Sequence, residues 1–492
     1  MKTFKNLKYL GLLAIAIGFT ACNDEEDYEE FLDQPPVDAV ILPALTAGSA
    51  DFSNYVAIGA SFTAGFTDGG LFMAGQEDSF PNTLAKQFAN IGGGTFNQPL
   101  TADNYGGLAV GGNRIQGPRL VFGGAGPIPL EAAIGPVIVG TDLLAPPTGP
   151  FNNFGVPGAK SFHLIAPGYG SLANLSAGLA NPYAIRLTGA TPNASMVELA
   201  VAQNPSFFTL SEIGGNDVLG YATTGGDGTD PITTATMFDF ALNTMVTALT
   251  SNGAKGAIGN VPNITSLSHF TTIPYNPVPL DAATAGALNQ GYATYNGGLQ
   301  FAMTNGLLTQ EQVDKRTITF YESANNALVL IDEDLTDLSS FGIPSFRQAT
   351  AADLFVLPLS SLIPQGYGTQ IQLEDKWVLT PEEQLEIATA TTAYNTSIAA
   401  IASANGLALV DLNSILNQAA ATGIPFDGYN LNTELVTGGL VSLDGIHLTA
   451  RGYAYMSNAF LDAIDTTFGS NFRASGTVVK ADDFGVHYSP GL

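Results

Sequence analysis

Near the far end of the chain, two side chains have the types and spacing of a base and the group that orients it. In Val441-Ser442-Leu443-Asp444-Gly445-Ile446-His447-Leu448-Thr449, a carboxylate stands three residues before an imidazole, just ahead of a helix-like run with few charges. Such a pair does chemistry only if a nucleophile waits elsewhere. Ser61 is the candidate, within Gly59-Ala60-Ser61-Phe62-Thr63-Ala64-Gly65 and directly after a short apolar run. Acyl transfer also needs donors facing the charge that develops on the carbonyl oxygen. The backbone N–H groups of Ser61 and Gly158 and the side-chain amide of Asn216 are the candidates. In that chemistry Ser61 attacks an acyl carbonyl. His447 takes its proton and returns it to the leaving alcohol, while Asp444 holds the imidazole tautomer and stabilises the imidazolium.

The elements that must position these residues are legible as alternating strands and helices. Asn54-Tyr55-Val56-Ala57-Ile58 is a buried-strand pattern, so Ser61 falls at a strand's C-terminal end, where open α/β sheets place their ligands. Ser79-Phe80-Pro81 predicts a helix start, with Ser as N-cap and Pro near N1. Asn153-Phe154-Gly155-Val156-Pro157-Gly158-Ala159 reads as a turn whose glycines bring backbone N–H groups close to a ligand. A helix around 197–202 precedes a second buried strand, Phe207 to Ile213, which ends in Gly214-Gly215-Asn216-Asp217. Asn216 at that place has a helix-capping role open to it as well. A helix over 237–251 and a strand over 256–260 follow. Thr380-Pro381-Glu382-Glu383 is a capping box opening a long helix, with Ile387, Tyr394, Ile398 and Ile401 on one face. Gly406 ends it before a fourth strand, Leu407 to Asp411, and Thr449 caps a last helix running to Phe468. This alternation predicts an α/β fold, a parallel sheet with helices on both faces.

Two long stretches interrupt the pattern, at about 91–152 and 266–376. The first, rich in Gly-Gly and Pro-Pro pairs, predicts loops and small hairpins that either shape substrate access or decorate the sheet edge. The second contains Ile331-Asp332-Glu333-Asp334, a carboxylate run with no nearby His, read as solvated charge rather than a metal site. Thr224-Gly225-Gly226-Asp227-Gly228-Thr229-Asp230-Pro231 is acidic but lacks EF-hand spacing, which makes it a surface loop. His163 lies close after the glycine-bearing turn, whereas His269 and His487 lie away from the predicted core.

Composition narrows the partners. The chain has 492 residues, 45% hydrophobic and 12% charged, enough for one large α/β domain with insertions. A net charge of -27 repels polyanions, so nucleic acid is excluded as a partner. Lys2, Lys5 and Lys8 precede an apolar run too short to span a membrane comfortably, and Thr20-Ala21-Cys22 follows. Cys22 is the single cysteine, so no disulfide joins two parts of the chain. The pattern resembles a bacterial lipoprotein signal over residues 1–21, which implies a lipidated Cys22 and attachment to a membrane. Residues 22–50 form an acidic tether beginning Asn23-Asp24-Glu25-Glu26-Asp27. The tether is a solvated spacer, and it also resembles the surface-export signal of some Gram-negative lipoproteins. The implied location is the outer membrane, at the cell surface or facing the periplasm.

The segments around Ser61, Gly158, Asn216 and Asp444-Gly445-Ile446-His447-Leu448-Thr449 resemble, in order, the four sequence blocks of the SGNH (GDSL) hydrolase family. The resemblance covers roughly 50–90, 150–265 and 378–470. It implies a flavodoxin-like three-layer α/β/α sandwich over 51–473, followed by an appendage at 474–492. It also implies hydrolysis of carboxylic esters, lipid acyl or glycan O-acyl, by Ser61, His447 and Asp444. Ser61, Gly158 and Asn216 would form the oxyanion hole, with no metal or organic cofactor. One departure stands out: Ala60 occupies the place where the family usually has a supporting Asp. That departure leaves open a non-catalytic surface-binding lipoprotein that retains the fold. An α/β-hydrolase is excluded because no Gly-x-Ser-x-Gly elbow surrounds any serine, and a zinc hydrolase because His-Glu-x-x-His is absent.

Overall fold

A computed structural model of the chain describes residues 41–492. The expected signal over 1–21, the lipidation site Cys22 and the acidic part of the tether lie outside the described residues. No helix among the described residues is long and apolar enough to cross a membrane.

The sheet forms where fully apolar runs meet. β1 (Tyr55–Gly59) leads into a single turn, α1 (Ser61–Ala64), and then α2 (Phe80–Ala89). β2 (Asn153–Gly155), α3 (Met196–Val201), β3 (Phe207–Ser211), α4 (Gly215–Thr223), α5 (Ala235–Thr250) and β4 (Lys255–Gly259) follow. α6 (Ala282–Thr304) belongs to the long middle segment. α7 (Pro381–Asn405), β5 (Ala408–Val410), α8 (Leu412–Ala421) and α9 (Ala450–Phe468) complete the set. The five strands pair in the order β2-β1-β3-β4-β5, every pair parallel. β1 and β3 are buried at all positions, as strands covered on both faces must be.

Helices flank this sheet. Phe80 of α2 stacks on Phe460 of α9 at 5.0 Å, and Phe238 of α5 stacks on Tyr394 of α7 at 4.2 Å. The local signals place the helix ends as expected. Thr380 and Glu383 form the reciprocal capping box of α7, and Thr449 caps α9, which Gly469 closes in the left-handed conformation. Ser79 sits at the N-cap of α2 without a capping bond, its hydroxyl turned to donate to Gln98 Oε1 at 3.2 Å. Asn153–Gly155, expected as part of a turn, is strand β2; the turn begins after it. Three residues are too short a run for a period to show.

The stretch 91–152 contains two hairpins, Leu108–Val110 with Asn113–Gln116 and Leu120–Phe122 with Pro127–Pro129. The stretch 266–376 builds cores of its own, one around α6 with Leu288, Tyr292, Leu299 and Phe320, another around Leu328, Leu330, Phe355 and Leu373. The acidic run there is not uniformly solvated: Asp332 is fully buried and paired with Arg347, which also grips Asp353. The last residues pack back on the body. Arg119 donates to the Ser489 carbonyl at 2.7 Å, and the Tyr488 hydroxyl reaches Asp78 at 2.9 Å.

One glycine sets how closely the first helical turn can approach the sheet. A Cβ at Gly155 would collide with the backbone of Thr63 and Ala64. Gly155→Ala is therefore expected to destabilise the chain by about 1–3 kcal/mol through overpacking. Urea unfolding of the two proteins measures this, and an unchanged midpoint would show that the approach is not tight.

Candidate active site

Ser61 is the first residue of α1 and is 7% exposed. A helix start leaves backbone N–H groups without intrahelical partners, and Ala60, at the N-cap, has no side chain to offer them. Glu212 supplies one from another strand. Its Oε1 accepts the N–H of Ala60 at 2.6 Å and of Thr63 at 3.1 Å. Glu212 follows β3 with φ of +50°, and this left-handed bend turns its carboxyl beneath α1. Burial pushes that carboxyl up to about 8, against the N–H groups that lower it. Sequence reading passed over Glu212 as part of the strand, although a lone acid in an apolar run ahead of Gly-Gly was the available signal.

The backbone N–H groups of Ser61 and Gly158 enter no hydrogen bond among the described residues. Gly158 follows β2 with φ of +78°, in a turn held by Asn181 Nδ2 on the Pro157 carbonyl at 2.9 Å. Asn216, the second residue of α4, donates one amide hydrogen to the Ala159 carbonyl at 3.0 Å and keeps its second free. The adjacent Asp217 is buried and accepts both the N–H and the hydroxyl of Ser161. The turn after β2 and the start of α4 are therefore locked together by the Asn216-Asp217 pair.

His447 Nδ1 lies 2.8 Å from Asp444 Oδ2. Asp444 also accepts from the N–H groups of Gly69, Ile446 and His447 and from the Ser442 hydroxyl. Burial alone would raise its pKa, but the His447 ring and these donors hold it well below the usual carboxylate range. The imidazole is wedged against Phe66 at 4.6 Å and Phe62 at 6.0 Å, two rings that bracket the Ser61 turn. Asp68, also missed in the sequence, braces this junction. Its Oδ1 accepts the Leu443 N–H at 3.0 Å, its own N–H donates to Ser442 Oγ, and burial pushes its carboxyl up to about 7. Two further bonds tie the same loops, Thr67 Oγ1 to the Leu448 carbonyl and the Tyr453 hydroxyl to the Phe66 carbonyl.

Ser61 and Asn216 share one cleft with Ile446 and Leu448, the neighbours of His447 in the chain. The cleft lies beyond the C-terminal ends of β1 and β3, where the strand order reverses direction. The Ser61 hydroxyl forms no hydrogen bond among the described residues, which leaves it open to the cleft; nucleophile–base contacts are often long before substrate binds. Of the other histidines, His163 stacks on Tyr169 at 4.5 Å, accepts the Lys160 N–H and is pushed down to about 4 by burial. It stays neutral and structural. His487 stacks on Phe122. His269, expected to be remote, instead packs against the Asp444-Gly445 turn, donating its N–H to the Gly445 carbonyl at 2.9 Å. No family model matches the chain, and no curated protein matches it either.

Glu212 ties the site to pH. Unfolded, a Glu ionises near about 4.3, whereas folded Glu212 holds its proton to about 8. The folded chain thus binds more protons between those values, so this contribution to stability is full below the first and is lost as pH rises through the second. Glu212→Gln, neutral throughout, is expected to flatten the fall of the thermal midpoint between pH ~5 and pH ~9. Parallel curves for the two proteins would mean another group titrates.

Proposed function

We propose that this chain is a serine esterase of SGNH type whose substrate carries an apolar acyl chain. The reading rests on one observation above others: the Asp444–His447 pair is wedged against the Ser61 turn beside a cleft with apolar walls. In this reading His447 Nε2, the ring atom that Asp444 leaves free, takes the Ser61 proton as the hydroxyl attacks the acyl carbonyl. The N–H groups of Ser61 and Gly158 and the free amide hydrogen of Asn216 receive the developing oxyanion. The imidazolium then protonates the leaving alcohol, and water releases the acyl group by the same route in reverse. The strand order β2-β1-β3-β4-β5 is that of flavodoxin-like sheets and supports a three-layer sandwich, with 91–152 and 266–376 as insertions.

The cleft wall names the substrate side. Beyond Ser61, Glu212 and Asn216 it is largely apolar, lined by Leu219, Ile264 and Leu267, by Leu412, Ile415 and Leu416 of α8, and by Tyr455 and Met456 of α9. The cavity between these walls has a volume of about 70 Å³. That is a slot rather than a chamber. Its apolar lining suits an alkyl chain, whereas a sugar ring would leave its hydroxyls unpaired against carbon. The signal-like start, Cys22 and the acidic run support a lipid-anchored protein of the outer membrane.

Hydrolysis of p-nitrophenyl esters from acetyl to palmitoyl tests the proposal. Ser61→Ala is expected to lower kcat by about 10⁶-fold and Asp444→Asn by about 10⁴-fold. Ile415→Trp, narrowing the slot, is expected to suppress long-chain hydrolysis while sparing the acetyl ester. No turnover at any chain length, with no labelling of Ser61 by a fluorophosphonate, would instead identify a binding protein that keeps the fold.

A further inference from the structure

The acidic stretches at 224–231 and 331–334 meet around a carboxylate cluster outside the cleft lining. Glu333, Asp375 and Glu383 each present a carboxylate oxygen, and these oxygens lie within 4.8 Å of one another. They come from three separate places: the loop after Ile331, the short turn Asp375–Trp377, and the first turn of α7. The loop at 224–231 closes over them. A Cβ at Gly225 would strike the backbone of Asp375, and one at Gly226 would strike Glu383 Oε1.

Two carboxylate oxygens of this cluster have no hydrogen-bond partner among the described residues. Glu383 is 6% exposed; its Oε2 accepts the Thr380 N–H at 2.6 Å, but its Oε1 is buried without a partner. Asp375 Oδ1 is likewise buried and unpartnered. An orphaned buried carboxylate oxygen costs free energy that something must offset. The cations near by are engaged elsewhere: Lys376 pairs with Glu374, Arg347 with Asp332 and Asp353, and Lys315 lies 3.8 Å from Asp332.

We propose that Glu333, Asp375 and Glu383 form a divalent-cation site that takes Ca²⁺ and staples the loop after Ile331, the Asp375–Trp377 turn and the start of α7 to one another, beneath the 224–231 loop. The donor chemistry selects the ion. All three ligands are hard carboxylate oxygens, with no imidazole or thiolate among them, which disfavours zinc and copper. Carboxylates from separate loops suit the flexible shell of Ca²⁺ better than the rigid octahedron of Mg²⁺. Three carboxylates this close repel one another, a penalty that a bound cation removes. The competing arrangement is a carboxyl–carboxylate pair in which Asp375 and Glu383 share one proton. The site has a route to the cleft, because α4, which carries Asn216 near its start, runs directly into the 224–231 loop.

The single tryptophan of the chain, Trp377, lies two residues from Asp375 in the same turn and makes the site directly readable. Protein stripped with EGTA and titrated with Tb³⁺ is expected to give saturable, Trp-sensitised luminescence that Ca²⁺ displaces and Mg²⁺ does not. Ca²⁺ is also expected to raise the thermal midpoint above that measured in EGTA. Glu383→Gln and Asp375→Asn should each weaken Tb³⁺ binding by about 10-fold or more. In EGTA both variants should be at least as stable as the parent, because each removes a repelling carboxylate. Absence of saturable luminescence, or a Ca²⁺-induced midpoint shift that survives in both variants, would overturn the site in favour of the shared proton.

Discussion

A buried carboxylate is tolerable only when several donors converge on it, and Asp444 meets that condition by drawing on both ends of the chain. The His447 ring, the N–H groups of Ile446 and His447 and the Ser442 hydroxyl come from its own loop. The Gly69 N–H comes from the segment that follows Ser61. Removing one partner of such an ion leaves an uncompensated charge, so the loops around it are fixed as a set. Asp68, Thr67 and Tyr453 then add bonds across the same junction. The orientation of His447 and the position of the Ser61 turn are therefore consequences of one electrostatic requirement.

Three carboxyls near the site are driven in different directions by their surroundings. Asp444, beside an imidazole and several donors, is held ionised. Asp68 and Glu212 are also buried, but each has fewer donors and one oxygen without a partner, and both are pushed toward the neutral acid. Glu212 does the work of an N-cap for a helix whose own N-cap residue is alanine. A carboxyl from the residue after β3 couples the start of α1 to the turn that leads through Gly214 into α4 and Asn216. The absence of an acid at position 60 is thus accompanied by an acid in contact with the same backbone N–H.

What the sequence made legible is what short-range physics determines. The caps at Thr380 and Thr449, the glycine stop after α9 and the apolar runs of β1 and β3 are set by neighbours a few residues away. Ser61, Asp444 and His447 stood out because their residue types and local spacing carry the pattern. The missed features depend on partners far along the chain. Glu212 meets Ala60 across 152 residues, and Asp68 meets Leu443 across 375. Asp332 reads as solvated until Arg347 is placed over it, and β2 is too short to show a period. The segment at 266–376 carries no local sign that it will fold around cores of its own.

The cleft and the charges behind it belong to one design. The walls of the cleft beside Ser61 and Asn216 are largely apolar, and the lower effective dielectric they impose strengthens every donor aimed there. The same lowering raises the cost of any polar group left unpaired, which is why Asp444 is so fully engaged and why Glu212 and Asp68 lean toward neutrality. A site in open water would have no such need of buried acids. The apolar cleft and the electrostatics that orient His447 thus both follow from an environment that is poor in water.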